Sequence, residues 1–124
     1  MQWSISENKI GAGILIRTLR RVDDEQGEPK AGDVVKVHCE TSLEDGSPVD
    51  STRERKQPLK FQVGSGDVIK GLEVAVQRMQ VGQLVEVIVP HIYAYGTRGR
   101  MPEIRPEATI VLKIELLEII SKES

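Results

Sequence analysis

The sequence has few of the residues on which reactive sites are most often built. Cys39 is the one cysteine among 124 residues, and the aromatic residues are only Trp3, Phe61, Tyr93 and Tyr95. A single cysteine excludes an internal disulfide and a multi-cysteine metal site, and it agrees with a reducing compartment. We therefore expect neither a metal nor a cofactor.

The chain also lacks an excess of charge and any long apolar run. Lysine and arginine number 17 against 19 acids, for a net charge of -2, which gives no electrostatic case for binding nucleic acid or an anionic membrane. The start of the chain has no basic region or apolar stretch, and nowhere do 18 apolar residues run together. We expect one domain of a protein in the cytoplasm or nucleus.

Alternation of apolar and polar residues is common along the sequence, and it predicts β-strands. Over residues 35–41 an apolar face carries Cys39 and a polar face carries His38, so the two cannot act as nucleophile and base, and we expect His38 to be solvated. Asp45-Gly46 indicates a tight hairpin, and Pro48 should keep the next strand short or at an edge. Other strands are predicted over residues 13–22, 59–63, 84–89 and 110–120.

One helical window interrupts the strands. Over residues 68–79 apolar residues recur at spacings of three, four and three, which predicts a helix with one apolar stripe laid on a sheet. The stripe consists of Ile69, Leu72, Val76 and Met79. Asp67 is a candidate N-terminal cap and Gly82 a candidate stop. Five or six antiparallel strands on one short helix make an α+β domain.

The domain is expected to occupy residues 13–120, between an N-terminal extension of residues 1–12 and a short tail of residues 121–124. The role of Trp3 in the extension stays open. Tyr93 and Tyr95, half of the aromatic residues, lie just before Gly96 at the start of a long charged loop. Two interpretations of this pair are open: the rings cover an edge of the core, or they line a pocket.

Six short motifs carry a family resemblance. They are Leu43-Glu44-Asp45-Gly46, Val49-Asp50-Ser51, Val68-Ile69-Lys70-Gly71, Met79-Gln80-Val81-Gly82-Gln83, Tyr93-Ala94-Tyr95-Gly96 and the final run from Ala108-Thr109 to Glu115-Leu116-Leu117. Their order and spacing resemble the FKBP family of peptidyl-prolyl cis-trans isomerases, the macrolide-binding immunophilins, without a gap over residues 31–118. The resemblance implies a strongly bent antiparallel sheet of five to six strands wrapped around one short helix.

Matched one position at a time, the resemblance implies three working groups. Tyr95 matches the family tyrosine whose hydroxyl hydrogen-bonds a ligand carbonyl, and Asp50 matches the pocket aspartate. Ile69 matches the residue whose backbone N–H holds a ligand carbonyl. Further positions that agree with family residues in or near the pocket are Arg55, Phe61, Val68 and Ile104.

The wall of the implied pocket departs from the family. Leu72 stands where the family has the tryptophan of the pocket floor, and Cys39 where it has a tyrosine. In the loop, Arg100 replaces a histidine and Glu103 an isoleucine. Family phenylalanines are replaced at Val49, Leu59 and Leu112. Because every wall residue is smaller, we expect weak isomerisation and poor macrolide binding.

Two functions of different classes are open. The first is an isomerase that acts on X-Pro bonds in proteins, as a folding helper of the chaperone type. The second is a catalytically silent interaction module that presents the charged loop from Thr97 to Glu107 to a protein partner, although such a loop is also ordinary solvated surface. In either case we expect a monomer that binds proline-containing chains and neither nucleic acid nor membrane.

Overall fold

The computed structural model describes residues 7–10, 13–23 and 27–121. Within these ranges seven strands and one α-helix follow one another along the chain. They are β1 (Glu7–Ile10), β2 (Ile14–Arg20), β3 (Val34–Leu43), β4 (Pro48–Ser51), β5 (Leu59–Gln62), α1 (Lys70–Val76), β6 (Leu84–Val89) and β7 (Ile110–Ile120). A single 3₁₀ turn, His91–Tyr93, follows β6.

The strands form one antiparallel sheet in the order β1-β2-β6-β7-β3-β4, and β5 pairs with β3 beside β4. At ten residues, β3 is long enough for two partners on the same edge: Val35 pairs with Phe61 of β5, and Thr41 pairs with Asp50 of β4. Shifts of register in the pairing of β3 with β4 and with β7 mark bulges, which bend the strands. The predicted α+β class, with a curled sheet and one short helix, is confirmed.

The sheet has one strand more than the five or six that the sequence predicts. The additional strand is β1, which pairs antiparallel with β2, so that Glu7 lies opposite Arg17. It falls in the segment that we assigned to the N-terminal extension. A strand of four residues with three polar members has no apolar alternation that would distinguish it from a loop. Trp3 lies outside the described residues.

The helix is shorter than predicted and its caps differ. Residues 68–79 were expected to be helical, but α1 begins after Ile69, whose extended backbone (φ -62, ψ 151) makes it the N-cap without a side-chain hydrogen bond. Asp67 therefore does not cap the helix, and Gln77, not Gly82, ends it. Met79 is nevertheless fully buried. The apolar stripe thus reflects burial, which continues after the helical hydrogen bonds have stopped.

The core lies between α1 and the concave face of the sheet. Alternate residues of β6 and β7 are almost completely buried, as their period-2 patterns predict: Val85, Val87, Val89, Ile110, Leu112, Ile114 and Leu116. The helix approaches β6 so closely that a Cβ atom at Gly71 would lie 2.5 Å from Val89 Cγ1. Glycine at this position therefore sets how deep the helix sits on the sheet.

His38 is not solvated as expected. The residue is half-buried, and its Nδ1 lies 3.0 Å from Oγ1 of Thr52. Thr52 is itself 3% exposed, and the same oxygen accepts a hydrogen bond of 2.8 Å from the backbone N–H of Cys39. A hydroxyl from the turn after β4 thus reaches β3, which the alternation pattern of β3 alone does not reveal. Cys39 points into the core, as predicted.

Glu115 of β7 connects three parts of the chain. Its carboxylate accepts a hydrogen bond of 2.6 Å from Arg53 in the turn after β4 and one of 2.8 Å from Arg20 of β2. The bond from Arg53 lowers the pKa of Glu115 below its usual value, and the bond from Arg20 adds to this effect.

Within the described ranges, no helix has the length and apolar character needed to cross a membrane.

We predict that Glu115→Gln lowers the free energy of unfolding at neutral pH by about 1 kcal/mol or less, as is typical of partly exposed ion pairs. The folded pKa lies below the unfolded pKa of about 4.3, so the carboxylate stabilises the protein above that pH. Its contribution is lost as the pH falls through the folded pKa. Urea unfolding of both proteins should therefore give a difference at pH 7 that disappears in acid.

Glu118→Gln serves as the control for Glu115→Gln. Among the described residues Glu118 forms one ion pair, with Lys36 at 3.6 Å, and both side chains are about half exposed. This substitution should change stability less than Glu115→Gln does. A Glu115→Gln effect that is equally large at pH 2.5 would contradict the assignment to the charged pairs.

Candidate active site

A cavity of about 570 Å³ lies at the N-terminal end of α1, between the loop that precedes the helix and the strands β3, β4, β5 and β7. All three predicted working groups line it: Tyr95, Asp50 and Ile69. Of the predicted substrate-binding residues, the cavity brings together Cys39, Arg55, Leu59, Val68, Leu72, Arg100 and Leu112. The sequence analysis did not assign four further lining residues to the site, Thr41, Thr52, Gly66 and Asp67.

The inner wall of the cavity is apolar and almost fully buried. Leu72 of α1 is 4% exposed and Leu112 of β7 is 2% exposed. Cys39 of β3 also lines the cavity and is buried, and this burial raises the pKa of its thiol to about 12. The thiol is therefore neutral at physiological pH and acts as a small apolar surface, not as a nucleophile. Water at this wall therefore finds few hydrogen-bonding groups.

Three predicted substrate-binding residues lie outside the cavity. Phe61 and Ile104 are 4% and 1% exposed and belong to the core. Phe61 pairs with the fully buried Val35, so its ring packs inward beneath the wall. Val49 is half-buried on β4 and borders a separate groove. None of the three is therefore placed to contact a ligand in the cavity directly.

The two tyrosines have different surroundings. Both rings pack against the core, and Tyr95 also lines the cavity, which Tyr93 does not. The core interpretation thus holds for both rings, and the pocket interpretation for Tyr95. The segment is held by the backbone: the N–H of Gly96 donates to the carbonyl of His91 at 2.8 Å, and the N–H of Glu107 donates to the carbonyl of Gly96 at 2.9 Å.

Two hydrogen-bond donors of the cavity have no partner among the described residues. One is the hydroxyl of Tyr95 and the other is the backbone N–H of Ile69. The carbonyl of Ile69, in contrast, accepts from the N–H groups of Leu72 and Glu73 at 3.1 and 3.3 Å, which fixes the direction of the peptide at the start of α1. Both donors can therefore serve a carbonyl group of a bound chain.

The charges of the cavity lie at its rim. Arg55 donates to a carboxylate oxygen of Asp50, and both side chains are partly exposed. Arg100 lies with its Cζ atom 5.8 Å from the centre of the Tyr95 ring, within the range of a cation–π contact.

The described part of the chain contains no group of three or more His, Cys, Asp or Glu side chains that could hold a metal ion.

Glu73 supports the cavity from beneath, and sequence reasoning missed it. This residue of α1 is 5% exposed, and its carboxylate accepts a hydrogen bond of 3.1 Å from the N–H of Gly66. The bond ties the loop before the helix, which carries Asp67, Val68 and Ile69, to the helix itself. From sequence alone, a glutamate seven residues after a glycine does not indicate a hydrogen bond between them. The bond can be predicted only if the chain is known to turn back between the two residues.

Residues 25–117 match the family of FKBP-type peptidyl-prolyl cis-trans isomerases. The chain is 42% identical over 91 residues to Peptidyl-prolyl cis-trans isomerase Fkbp12 of Drosophila melanogaster, which covers 73% of this chain and 84% of that protein. It is 43% identical over 96 residues to FK506-binding protein 1A of Emericella nidulans, with 77% and 89% covered. FK506-binding protein 1 of Rhizopus delemar is 39% identical over 107 residues, with 86% and 98% covered.

The fold of the chain, the cavity and these similarities together define the class of protein. It is a prolyl isomerase in which a curled sheet packs on one helix. The chain belongs to the FKBP-type peptidyl-prolyl cis-trans isomerase family. The family that the motifs predicted is thus confirmed. The roles of the individual site residues stay predictions.

We predict that Glu73→Ala loosens the loop before α1, because it leaves the N–H of Gly66 without its acceptor. The free energy of unfolding should fall by roughly 1–3 kcal/mol, and amide hydrogen exchange at Gly66 and Ile69 should speed up. Glu73→Gln is the matched control, since its amide oxygen can still accept the bond. Equal exchange rates in wild type and Glu73→Ala would contradict the supporting role of Glu73.

Proposed function

We propose that the chain catalyses cis-trans isomerisation of X-Pro bonds by taking the prolyl ring into the cavity beneath Tyr95. The single observation that carries the proposal is the arrangement of the cavity: an apolar wall lies beside the unpartnered hydroxyl of Tyr95 and the unpartnered N–H of Ile69. Family membership supports the same reaction.

The reaction needs a suitable environment more than a reactive group. Rotation about an X-Pro bond faces a barrier of roughly 20 kcal/mol, because the resonance of the amide must be broken. Water favours the planar, more polar ground state, so a cavity that removes water from the bond brings the planar and twisted states closer in free energy. Donors placed for the carbonyl of the twisted bond add selective stabilisation of the transition state.

The described residues of the cavity supply both features. The buried wall of Leu72, Leu112 and Cys39 would contact the prolyl ring and exclude water. The Tyr95 hydroxyl and the Ile69 N–H would hold carbonyl groups of the chain on either side of the ring. Asp50 would add a fixed negative charge at the rim, held in place by Arg55.

Two other grooves are less suited to a prolyl ring. One, of about 790 Å³, is bordered by the charged residues Glu28, Lys30, Asp33 and Glu118. The other, of about 760 Å³, is bordered by Glu40, Glu54, Glu86 and Lys113. Charged residues also line the proposed cavity, but neither groove has a buried apolar residue in its lining, whereas the cavity has Leu72, Leu112 and Cys39. Without such a wall, desolvation of the charged side chains would oppose binding of an apolar ring.

We further propose that the activity is weak. Aliphatic side chains replace the family's aromatic wall, and each exchange forfeits about 1 kcal/mol of packing beyond area. Several such exchanges weaken binding of a prolyl group by ~10- to 1000-fold, since 1.4 kcal/mol is tenfold. The same reasoning predicts weak binding of macrolides such as the FK506 after which the relatives are named. A cytoplasmic folding helper is the cellular role that this activity suggests.

A silent interaction module is the second candidate, and one observation favours it. Met101 is 64% exposed in the charged loop of residues 97–107, and Ile92 is 61% exposed in the 3₁₀ turn before that loop. Exposed apolar side chains among charges are typical of contact surfaces between proteins. In this case the loop would bind a partner while the cavity stayed without turnover.

Tyr95→Phe tests the proposed isomerase directly. Loss of one donor to the substrate carbonyl should lower kcat/KM by about 3- to 10-fold, the usual value of one hydrogen bond. The measurement is the exchange rate between cis and trans isomers of an Ala-Leu-Pro-Phe peptide, followed by NMR. Tyr93→Phe is the matched control, because that ring lies outside the cavity, and it should leave the rate unchanged. No exchange above background with wild-type protein would refute the isomerase.

Leu72→Trp tests whether the missing aromatic wall limits the activity. A tryptophan at the floor should increase the affinity for a prolyl peptide about tenfold, through its larger contact with the ring. Val74→Trp is the control, since Val74 is on the same helix but does not line the cavity. Circular dichroism would confirm that both variants fold. A folded Leu72→Trp protein with unchanged affinity and rate would show that the wall is not the limiting element.

A further inference from the structure

The rim of the cavity carries one cation without a carboxylate partner in the described chain. Four charged residues line the cavity: Asp50, Arg55, Asp67 and Arg100. Asp50 and Arg55 form an ion pair with each other. Asp67 and Arg100 are not within ion-pair distance of each other or of any other described residue of opposite charge. The rim therefore presents an uncompensated positive charge at one place and an uncompensated negative charge at another.

Arg100 is held in position. Its N–H donates to the carbonyl of Ile104 at 2.7 Å, and the N–H of Ile104 donates back to its carbonyl at 2.9 Å. Ile104 is 1% exposed, so the short turn between the two residues is anchored in the core. The preceding Gly99 has a positive φ of 68°, and a Cβ atom there would lie 2.4 Å from the Ile104 carbonyl oxygen.

The side chain of Arg100 is also oriented at its far end. Its guanidinium lies 5.8 Å from the centre of the Tyr95 ring, the ring whose hydroxyl we propose to hold the substrate carbonyl. A cation fixed beside the carbonyl-binding group would be close to the residues that flank the proline. Asp67 lies on the loop before α1, the segment that carries Ile69, so it reaches the cavity from a different part of the chain than Arg100 does.

We propose that Arg100 selects X-Pro substrates that carry a carboxylate side chain directly beside the proline. The proposal rests on the isomerase site described above, and it names the class of peptide which that site favours. The attraction is between partly exposed charges, so its expected size is a preference of about 3- to 5-fold for glutamate over glutamine. Salt should reduce the preference, because the Debye length shortens to roughly 3 Å at 1 M.

The test measures peptide affinity by NMR titration, which does not require turnover. Two peptide pairs differ only in glutamate against glutamine, one pair with the change before the proline and one with the change after it. Wild-type protein at low salt should bind the glutamate peptide of at least one pair about 3- to 5-fold more tightly. The preference should shrink toward unity in 1 M salt.

Three variants assign the effect to Arg100. Arg100→Gln should abolish the preference, so that the glutamate and glutamine peptides of each pair bind this variant with equal affinity. Arg100→Lys should retain part of the preference, since the charge remains. Arg98→Gln is the matched control: it removes an exposed cation of the same loop that does not line the cavity, and the preference should persist.

Equal affinities for glutamate and glutamine at both positions would overturn the proposal, and so would a preference that survives in Arg100→Gln. The isomerase itself is judged separately, by exchange rates on the glutamine peptides. Turnover without a charge preference would refute only the selection by Arg100. A charge preference without turnover would support the selection and refute the isomerase.

Discussion

The contact between α1 and β6 at Gly71 is the constraint on which the cavity depends. Because no side chain separates the helix from Val89, the helix sits deep on the sheet and brings Leu72 to the cavity floor. The same placement lets Glu73 hold the loop that carries the Ile69 N–H. On the other side, β3 positions the opposite wall, since its great length lets β4 and β5 share one edge. The site is thus built by packing, with few groups dedicated to chemistry.

This construction explains how the wall can change while the polar groups stay. Isomerisation requires an apolar surface that excludes water and hydrogen-bond donors in fixed orientations. Aliphatic side chains exclude water as well as aromatic ones do. What they lose is the rigid flat contact with a prolyl ring. Beside the wall, the hydroxyl of Thr52 accepts a hydrogen bond from the backbone N–H of Cys39, so this buried donor has a partner. The balance predicts a working but weakened site, with its specificity set more by the charged rim than by the wall.

Most of the fold was predictable from sequence, because alternation along β3, β6 and β7 is strong and the helical stripe is clear. The errors have physical causes. Met79 extends the apolar stripe beyond the helix, since burial does not require helical hydrogen bonds, and the backbone of Ile69 takes the place expected for an Asp67 cap. Most of the site could be predicted only through the family resemblance. Thr52 was missed because its partner, the N–H of Cys39, lies on another strand, and Glu73 because its bond to Gly66 depends on the path of the loop before α1. Asp67 was expected only as a helix cap, and Phe61 and Ile104 proved to lie in the core.

The central claim is that a prolyl ring enters the cavity between Leu72 and Tyr95. The most direct measurement is a set of intermolecular NOEs between the proline ring of a bound peptide and the methyl groups of selectively labelled protein. The account predicts NOEs to Leu72, Leu112 and Val68, which line the cavity. NOEs confined to Val111 and Val49, which border the groove of Glu86 and Lys113, would contradict it.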